Sequence, residues 1–262
     1  PVVDRRSGLP LGTVITSTVE QVDHAFEVAK NTQIPPPEVR IEVLEKAVEV
    51  FRLLRMRLMA LLASESGYDL SEALAEIRAT TAFCRNLAAL ARQYLLMPEK
   101  LVGPTGESNT VSFAGRGIIG CLSGTHSPLL EFAGQVMAAW VAGNCVVAKP
   151  SMRSPLVGSL AARIFHGAGI PPSALALVLG PREPIGDRII RHSDCGGVAF
   201  SGLDENAQVI NRVLAAREGI IVPLVTGLSA QAPYLLRFTT ERTFTVNTAA
   251  AGGNTSLMTT EE

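Results

Sequence analysis

Lys149 is the residue whose type and setting first point to chemistry, because it ends the apolar run Val146-Val147-Ala148 directly before Pro150. A lone cation just past a buried strand either reaches a ligand or carries its ammonium to solvent along its own stem. Glycines at other strand ends point the same way, at Gly120 through Gly124, at Gly180 and at Ser201-Gly202. Ligands of open α/β sheets bind outside the carboxyl ends of the strands, where glycine lets backbone approach a phosphate. The steric demands of tight strand-to-helix turns are the better account of each of these glycines, and the G-x-G-x-x-G fingerprint is absent. His126 with Ser123 and Thr125 invites a hydrolase reading. No G-x-S-x-G elbow surrounds a serine and no acid is placed to orient the histidine, which sets that reading aside. His24 and His166 fall on amphipathic stretches and read as surface or boundary residues, while His192, just before Asp194 at a helix end, suits the macrodipole as a cap. Cys84, Cys121, Cys145 and Cys195 lie too far apart for a C-x-x-C pair or a zinc-ligand spacing. Buried free thiols in a reducing compartment are the expectation.

The elements that must hold these residues can be read from periodicity. Gly8 to Ser17, with Val14 and Ile15 between turn formers, predicts one short strand. Val19, Val22, Ala25, Phe26 and Ala29 recur at helical spacing, ended by Pro35-Pro36-Pro37. From Glu38 to about Ser66 a wide apolar stripe predicts one long helix, stopped by Gly67 where a C-terminal cap belongs. A further helix is expected from Asp69, capped by Asp69 or Ser71, to about Leu96.

Past Pro98 the texture changes. The turn Gly103-Pro104-Thr105-Gly106 leads into a strand at Thr110 to Phe113. Strands are then expected at Gly117–Ser123, Cys145–Lys149, Ala176–Leu179, Val198–Phe200 and Ile220–Val225. Helices fall between them near 129–142, 154–168, 185–192 and 205–217. Short apolar strands alternating with helices imply right-handed crossovers and a parallel sheet covered on both faces. The fold class is therefore α/β, a Rossmann-like doubly wound parallel sheet with long N-terminal helices and a C-terminal strand and tail. Three parts are expected: residues 1–98 as the N-terminal helical part, 99–235 as the Rossmann-like part, and 236–262 as strand and docking tail.

Composition bounds the function classes. The 262 residues are 47% hydrophobic, 18% charged and 5% aromatic, with a formal charge of -1, so disorder and collagen are excluded. No global field draws the chain to nucleic acid or an anionic bilayer, and neither is expected as a partner. The longest uncharged run, Phe132 to Ala148, is broken by Gln135 and Gly143-Asn144 and falls short of the roughly 20 residues a membrane span needs. No secretory signal opens the chain, and a cytoplasmic location is expected. The first residue is Pro1 rather than methionine, as in a piece of something longer.

Several collinear segments resemble the cofactor half of the aldehyde dehydrogenase superfamily: Gly115 through Ser123 and on to Pro128, Gly134-Gln135-Val136, Ala142 through Pro150, and Phe200-Ser201-Gly202. The resemblance covers about Pro1 to Leu235 and includes the long N-terminal helices. Gly103-Pro104-Thr105-Gly106-Glu107 and the terminal Val246-Asn247-Thr248-Ala249-Ala250-Ala251-Gly252-Gly253-Asn254-Thr255-Ser256-Leu257 further resemble the proline utilization A family of bifunctional proline catabolic flavoenzymes. Aldehyde dehydrogenases oxidise aldehydes through a cysteine thiohemiacetal, an asparagine at the oxyanion, a glutamate base and NAD.

The departures are as informative as the matches. His126 stands at the oxyanion asparagine and Gly227 at the base. Met152 replaces the ribose-gripping glutamate and Leu203 the serine that touches pyrophosphate. The catalytic domain that should follow Leu235 is reduced to Leu236–Phe244, so the nucleophilic cysteine is missing. Catalytic residues and a metal site are therefore not expected. The resemblance implies instead the second, non-catalytic aldehyde-dehydrogenase-like domain of the longer proline utilization A proteins. Such a domain acts as lid of the cavity that passes pyrroline-5-carboxylate and its semialdehyde between active sites, and as an intramolecular docking domain.

No cofactor is then expected in this segment, with NAD and FAD belonging to the full-length protein it resembles. Lys149, Gly180 and Gly202 would be a vestigial cofactor site. Val246, Asn247, Gly252, Gly253 and Asn254 would form a tail docked on the dehydrogenase half of the same polypeptide or protomer, with a homo-oligomer left open. The alternatives are a regulatory module that still holds NAD or another nucleotide, and an active NAD-dependent aldehyde dehydrogenase using His126 or Cys121.

Overall fold

The computed structural model describes residues 1–102 and 109–228. The tail residues Val246, Asn247, Gly252, Gly253 and Asn254, and the turn Gly103–Glu107, lie outside the described residues. In chain order the elements are β1 Val2–Val3, β2 Pro10–Gly12, α1 Val19–Lys30, α2 Pro37–Leu53, α3 Arg55–Leu61, α4 Leu70–Leu95, β3 Glu99–Leu101, β4 Asn109–Val111, β5 Ile118–Leu122, α5 Pro128–Val141, β6 Cys145–Lys149, α6 Pro155–Ala168, β7 Leu175–Leu177, α7 Asp187–Arg191, β8 Cys195–Gly202, α8 Asp204–Ala215 and β9 Leu224–Leu228. A π-helical turn, Leu62–Ser66, joins α3 to Gly67, and an irregular turn over Arg182–Gly186, with Glu183 extended at φ -104° and ψ 124°, leads into α7.

Five strands make one sheet in the order β7-β6-β5-β8-β9, every neighbouring pair parallel. This is the mononucleotide-fold order, in which the chain reverses direction across the sheet between β5 and β8. Helices α5 and α6 pack with α2 and α4 on one face, while α1, α7 and α8 cover the other. One contiguous core joins the helical layer to the sheet. Phe165 of α6 stacks on Phe132 of α5 and meets Phe51 of α2 edge-on, at ring separations of 6.4 and 5.7 Å. Among the described residues no helix is long and apolar enough to cross a membrane.

Local chemistry explains the element ends. Thr18 and Asp69 each form a reciprocal capping box, with Gln21 and Glu72 respectively. Gly67 adopts φ 76°, the left-handed cap that ends the π turn.

Four sequence expectations are corrected and one strand is added. Val14 and Ile15 form no strand; Ile15 is exposed, and the pairing lies between β1 and β2 instead. Helix α1 stops at Lys30, and Pro37 opens α2 rather than closing α1. The helix expected over Glu38–Ser66 is broken at Leu54, which has φ -90° and ψ 11°. The apolar stripe continues across the break through Leu58 and Leu62, so periodicity alone reads one helix. Ile220 and Ile221 are exposed and precede the last strand, whose start at Leu224 follows from its register against Val198. Strand β3, which the sequence reading missed, pairs antiparallel with β4.

Candidate functional site

A cleft of about 430 Å³ opens at the carboxyl ends of β5, β6 and β8. That is the switch point between β5 and β8, where open parallel sheets bind ligands because the two following helices diverge. Lys149, at the end of β6, lines it. The Lys149 stem runs beside Gly186, where an added Cβ would lie 3.8 Å from its Cδ and Cε. Its Nζ is 3.5 Å from the Pro150 carbonyl, and among the described residues no carboxylate pairs with it. Burial lowers the Lys149 ammonium below its ordinary pKa.

Arg153 and Arg182 add cations to the same rim. Arg182 donates to Asn206 Oδ1 at 3.1 Å and lies 3.7 Å from Asp187 Oδ1. Ile190 of α7 and Ile210 of α8 supply apolar wall.

The opposite side is held by a half-buried polar network. Ser201 Oγ donates to Glu131 Oε2 at 2.8 Å and accepts from Gly124 N–H at 3.0 Å and Gln135 Nε2 at 3.1 Å. Glu131 Oε1 also accepts from Ser127 N–H at 3.3 Å. The loop after β5, helix α5 and the end of β8 are thereby tied into one wall. An added Cβ at Gly124 would fall 2.8 Å from both Glu131 Oε2 and the Ser201 carbonyl, so only glycine permits this approach.

Helices α5 and α6 start in an unusual way. Both begin with proline after a serine, yet neither Ser127 nor Ser154 caps with its hydroxyl. The free N–H groups are satisfied from the helical layer instead. Glu76 Oε1 accepts from Leu129 and Leu130 N–H at 2.8 and 3.0 Å. Glu65 accepts from Leu156 N–H through Oε1 at 2.9 Å and from Val157 N–H through Oε2 at 2.8 Å. Burial raises both carboxyls above their ordinary pKa, against the opposing pull of these N–H donors. Tyr68 donates its hydroxyl to the His126 carbonyl, fixing the loop before α5.

Lys149 and Gly202 line the cleft, whereas Gly180 does not. An added Cβ at Gly180 would come within 2.6 Å of Ile185 Cγ1, a packing demand. Gly202 has φ 151°, and a Cβ there would meet the Phe200 ring at 2.7 Å. His126 and Leu203 also line the cleft, and Gly227 sits on β9 opposite Ser201. All four cysteines are buried free thiols, and none lines the cleft. Burial pushes Cys145 up to about 11 and Cys84 up to about 12, and raises Cys121 and Cys195 as well. His192 occupies the C-cap of α7, but as a packed ring rather than an exposed cation. It stacks on Phe26 at 4.0 Å, accepts from Asp194 N–H at Nδ1, and has its pKa lowered by burial. Sequence reasoning missed Glu131, Glu65 and Glu76. The available signal was a glutamate four residues into α5 and the paired Ser-Pro helix starts.

The aldehyde dehydrogenase family profile matches residues 1–253. The chain belongs to the aldehyde dehydrogenase family. It is 30% identical to the bifunctional protein PutA of Escherichia coli (strain K12) over 223 residues, covering 82% of this chain and 16% of that protein. Against PutA of Rhizobium meliloti the identity is 35% over 195 residues, covering 73% of this chain and 14% of the relative. A crystal structure of bifunctional proline utilization A superposes with a TM-score of 0.80 at 40% identity, covering 82% of this chain and 22% of that one. The chain thus spans a small part of the length of the PutA proteins it matches.

Proposed function

We propose that this aldehyde dehydrogenase family domain is the non-catalytic one of a bifunctional proline-to-glutamate oxidoreductase, serving as lid of its channelling cavity and as a docking domain within the polypeptide. The observation that carries the reading is the placement of the thiols: a family that works through a cysteine nucleophile has here four cysteines, all buried away from the cleft. A thiol with a raised pKa is a poor nucleophile, because the thiolate is the reacting species. Gly227 at the base position offers no carboxylate, and His126 stands at the oxyanion position. A single oxyanion donor is worth ~100- to 1000-fold in rate, so the combined loss removes turnover.

NAD is the cofactor the family implies, and the residues at the phosphate end of the cleft fit it poorly. Helix α8 starts from Leu203, which makes no side-chain cap, and its first turn carries Asp204 and Glu205. These carboxylates already offset the dipole that would otherwise favour pyrophosphate. The docking role rests on the tail residues Val246, Asn247, Gly252, Gly253 and Asn254, whose resemblance to the proline utilization A terminus is a matter of sequence. A tethered neighbour binds at high effective concentration, so such a tail needs little intrinsic affinity.

The test is an assay of the chain with glutamate semialdehyde and NAD. No reduction of NAD is expected, and reduction that disappears in Cys121→Ala would overturn the reading. A second reading, a module that holds a nucleotide, is favoured by Lys149, which lines the cleft with no carboxylate partner among the described residues. Titration calorimetry with nucleotides separates the two.

A further inference from the structure

We propose that Lys149 is a covalent capture site, its amine forming a reversible imine with small aldehydes that carry a carboxylate, and that Arg153 receives the carboxylate. This goes beyond the lid reading and stands whether or not the domain closes a cavity.

The chain has four lysines, and their settings differ. Lys30 faces Asp194 at 2.9 Å, Lys46 faces Glu42 at 3.9 Å, and Lys100 is exposed on β3. Lys149 is half-buried in the cleft wall and faces no carboxylate among the described residues. Its stem is held beside Gly186, where an added Cβ would lie 3.8 Å from Cδ and Cε. Leu122, Ile190 and Ile210 make the neighbouring surface apolar.

An amine attacks a carbonyl through its lone pair, so the unprotonated form is the reacting species, and desolvation is what supplies it. Burial without a compensating carboxylate lowers the Lys149 ammonium below its ordinary pKa. The nitrogen–carbon bond forms as the carbonyl π pair moves to oxygen, which takes up the proton the nitrogen gives up. The resulting carbinolamine loses its hydroxyl as water to leave the C=N bond. No oxidant or reductant enters, and hydrolysis returns amine and aldehyde. Apolar walls slow that hydrolysis by limiting water.

The carboxylate follows from the remaining charge. Arg182 donates to Asn206 Oδ1 at 3.1 Å and faces Asp187 Oδ1 at 3.7 Å. Arg153, on the same rim, faces no carboxylate among the described residues. With Lys149 neutral as the nucleophile, one uncommitted positive charge is left, and a monoanion matches it. Glu131 on the opposite wall is turned to Ser201 and Ser127. The cleft volume of about 430 Å³ leaves ample room for an aldehyde of a few carbons.

The experiment treats the 262-residue chain with succinic semialdehyde or with butyraldehyde, the uncharged aldehyde of equal length, in the presence of cyanoborohydride. The reductant delivers hydride to the imine carbon and fixes the adduct as a secondary amine, and mass-spectrometric peptide mapping gives the rate at each lysine. Succinic semialdehyde is expected to label Lys149 at least about tenfold faster than Lys30, Lys46 or Lys100, and about tenfold faster than butyraldehyde labels Lys149, the size of one charge-assisted contact. In urea the preference for Lys149 should vanish, since it depends on the folded cleft. Arg153→Gln should bring the succinic semialdehyde rate down to that of butyraldehyde while leaving the butyraldehyde rate unchanged. Labelling spread evenly over the four lysines of the folded chain overturns the proposal, as does a Lys149 rate equal for the two aldehydes or untouched by Arg153→Gln. Each of these leaves the lid reading standing, because that reading fails on reduction of NAD and not on labelling.

Discussion

Replacing Glu65 and Glu76 by glutamine separates two carboxylates that look alike in sequence and do the same work through different atoms. Glu65 spends both oxygens, one on Leu156 N–H and one on Val157 N–H. In Glu65→Gln one of those oxygens becomes an amide donor pointed at a donor, leaving a buried N–H unpaired at a cost of about 1–3 kcal/mol. Glu76 serves Leu129 and Leu130 through Oε1 alone, and among the described residues no donor is committed to its Oε2, the nearby Tyr68 hydroxyl donating to the His126 carbonyl. Glu76→Gln therefore keeps both bonds and is expected to stay within about 1 kcal/mol of the parent. Alanine at either position strips two N–H groups and leaves a void, at a cost of roughly 2–5 kcal/mol.

The pH dependence adds an independent check. Both folded carboxyls lie above the unfolded value near 4.5. The folded state thus holds its protons longer, so their stabilising share is full below pH 4.5 and is lost as pH rises through the folded values. Glu76→Gln removes one titrating group and should flatten that decline. Urea denaturation between pH 4 and 8 measures all of this. Equal midpoints for the two glutamine variants, or Glu65→Ala unfolding like the parent, would refute the assignment of these side chains as helix caps.

Other consequences follow from single contacts. Gly124→Ala should cost about 1–3 kcal/mol and break the Ser201–Glu131 bond, because its Cβ would press on both residues; urea unfolding reads it. Thiol reagents should modify none of the four cysteines in the folded chain and all four in urea, since each is buried with a raised pKa; rapid labelling of one native thiol contradicts this. His192 has a folded pKa below 6.5, so the unfolded chain binds its proton first and stability falls as pH drops through 6.5. His192→Phe keeps the stack on Phe26 and should remove that component, as thermal unfolding at pH 5 and 8 would register. On the proposed docking role, deletion of residues 247–257 from a polypeptide that carries the proline-to-glutamate activities should leave this domain folded and release more intermediate; unchanged coupled kinetics would count against docking.

The parallel sheet was legible because its signals are local. Cys145–Lys149 is apolar except for its last residue, and it emerged with the same ends in the structure. The capping box at Asp69 and the stop at Gly67 are likewise written within a few residues of where they act. The break at Leu54 was not legible, since the apolar repeat runs through it undisturbed. Ile220 and Ile221 misled for the opposite reason, being apolar without being paired.

For the site, position at a strand end brought forward Lys149, Gly180 and Gly202, of which Gly180 lies outside the cleft, and the family resemblance brought forward His126 and Leu203. What sequence could not decide was the meaning of a carboxylate. Glu65 and Glu76 are spaced like any solvated glutamate on a helix, and Glu131 like a surface residue of α5. Their partners lie on helices or strands far away in the chain, at α6, α5 and β8. A hydrogen bond is satisfied by geometry in three dimensions and leaves no periodic trace in one. The sequence by itself determined most of the parallel strands and the glycine turns, whose signals are local; tertiary packing alone decided which charges are buried, which are paired, and which side chains meet in the cleft.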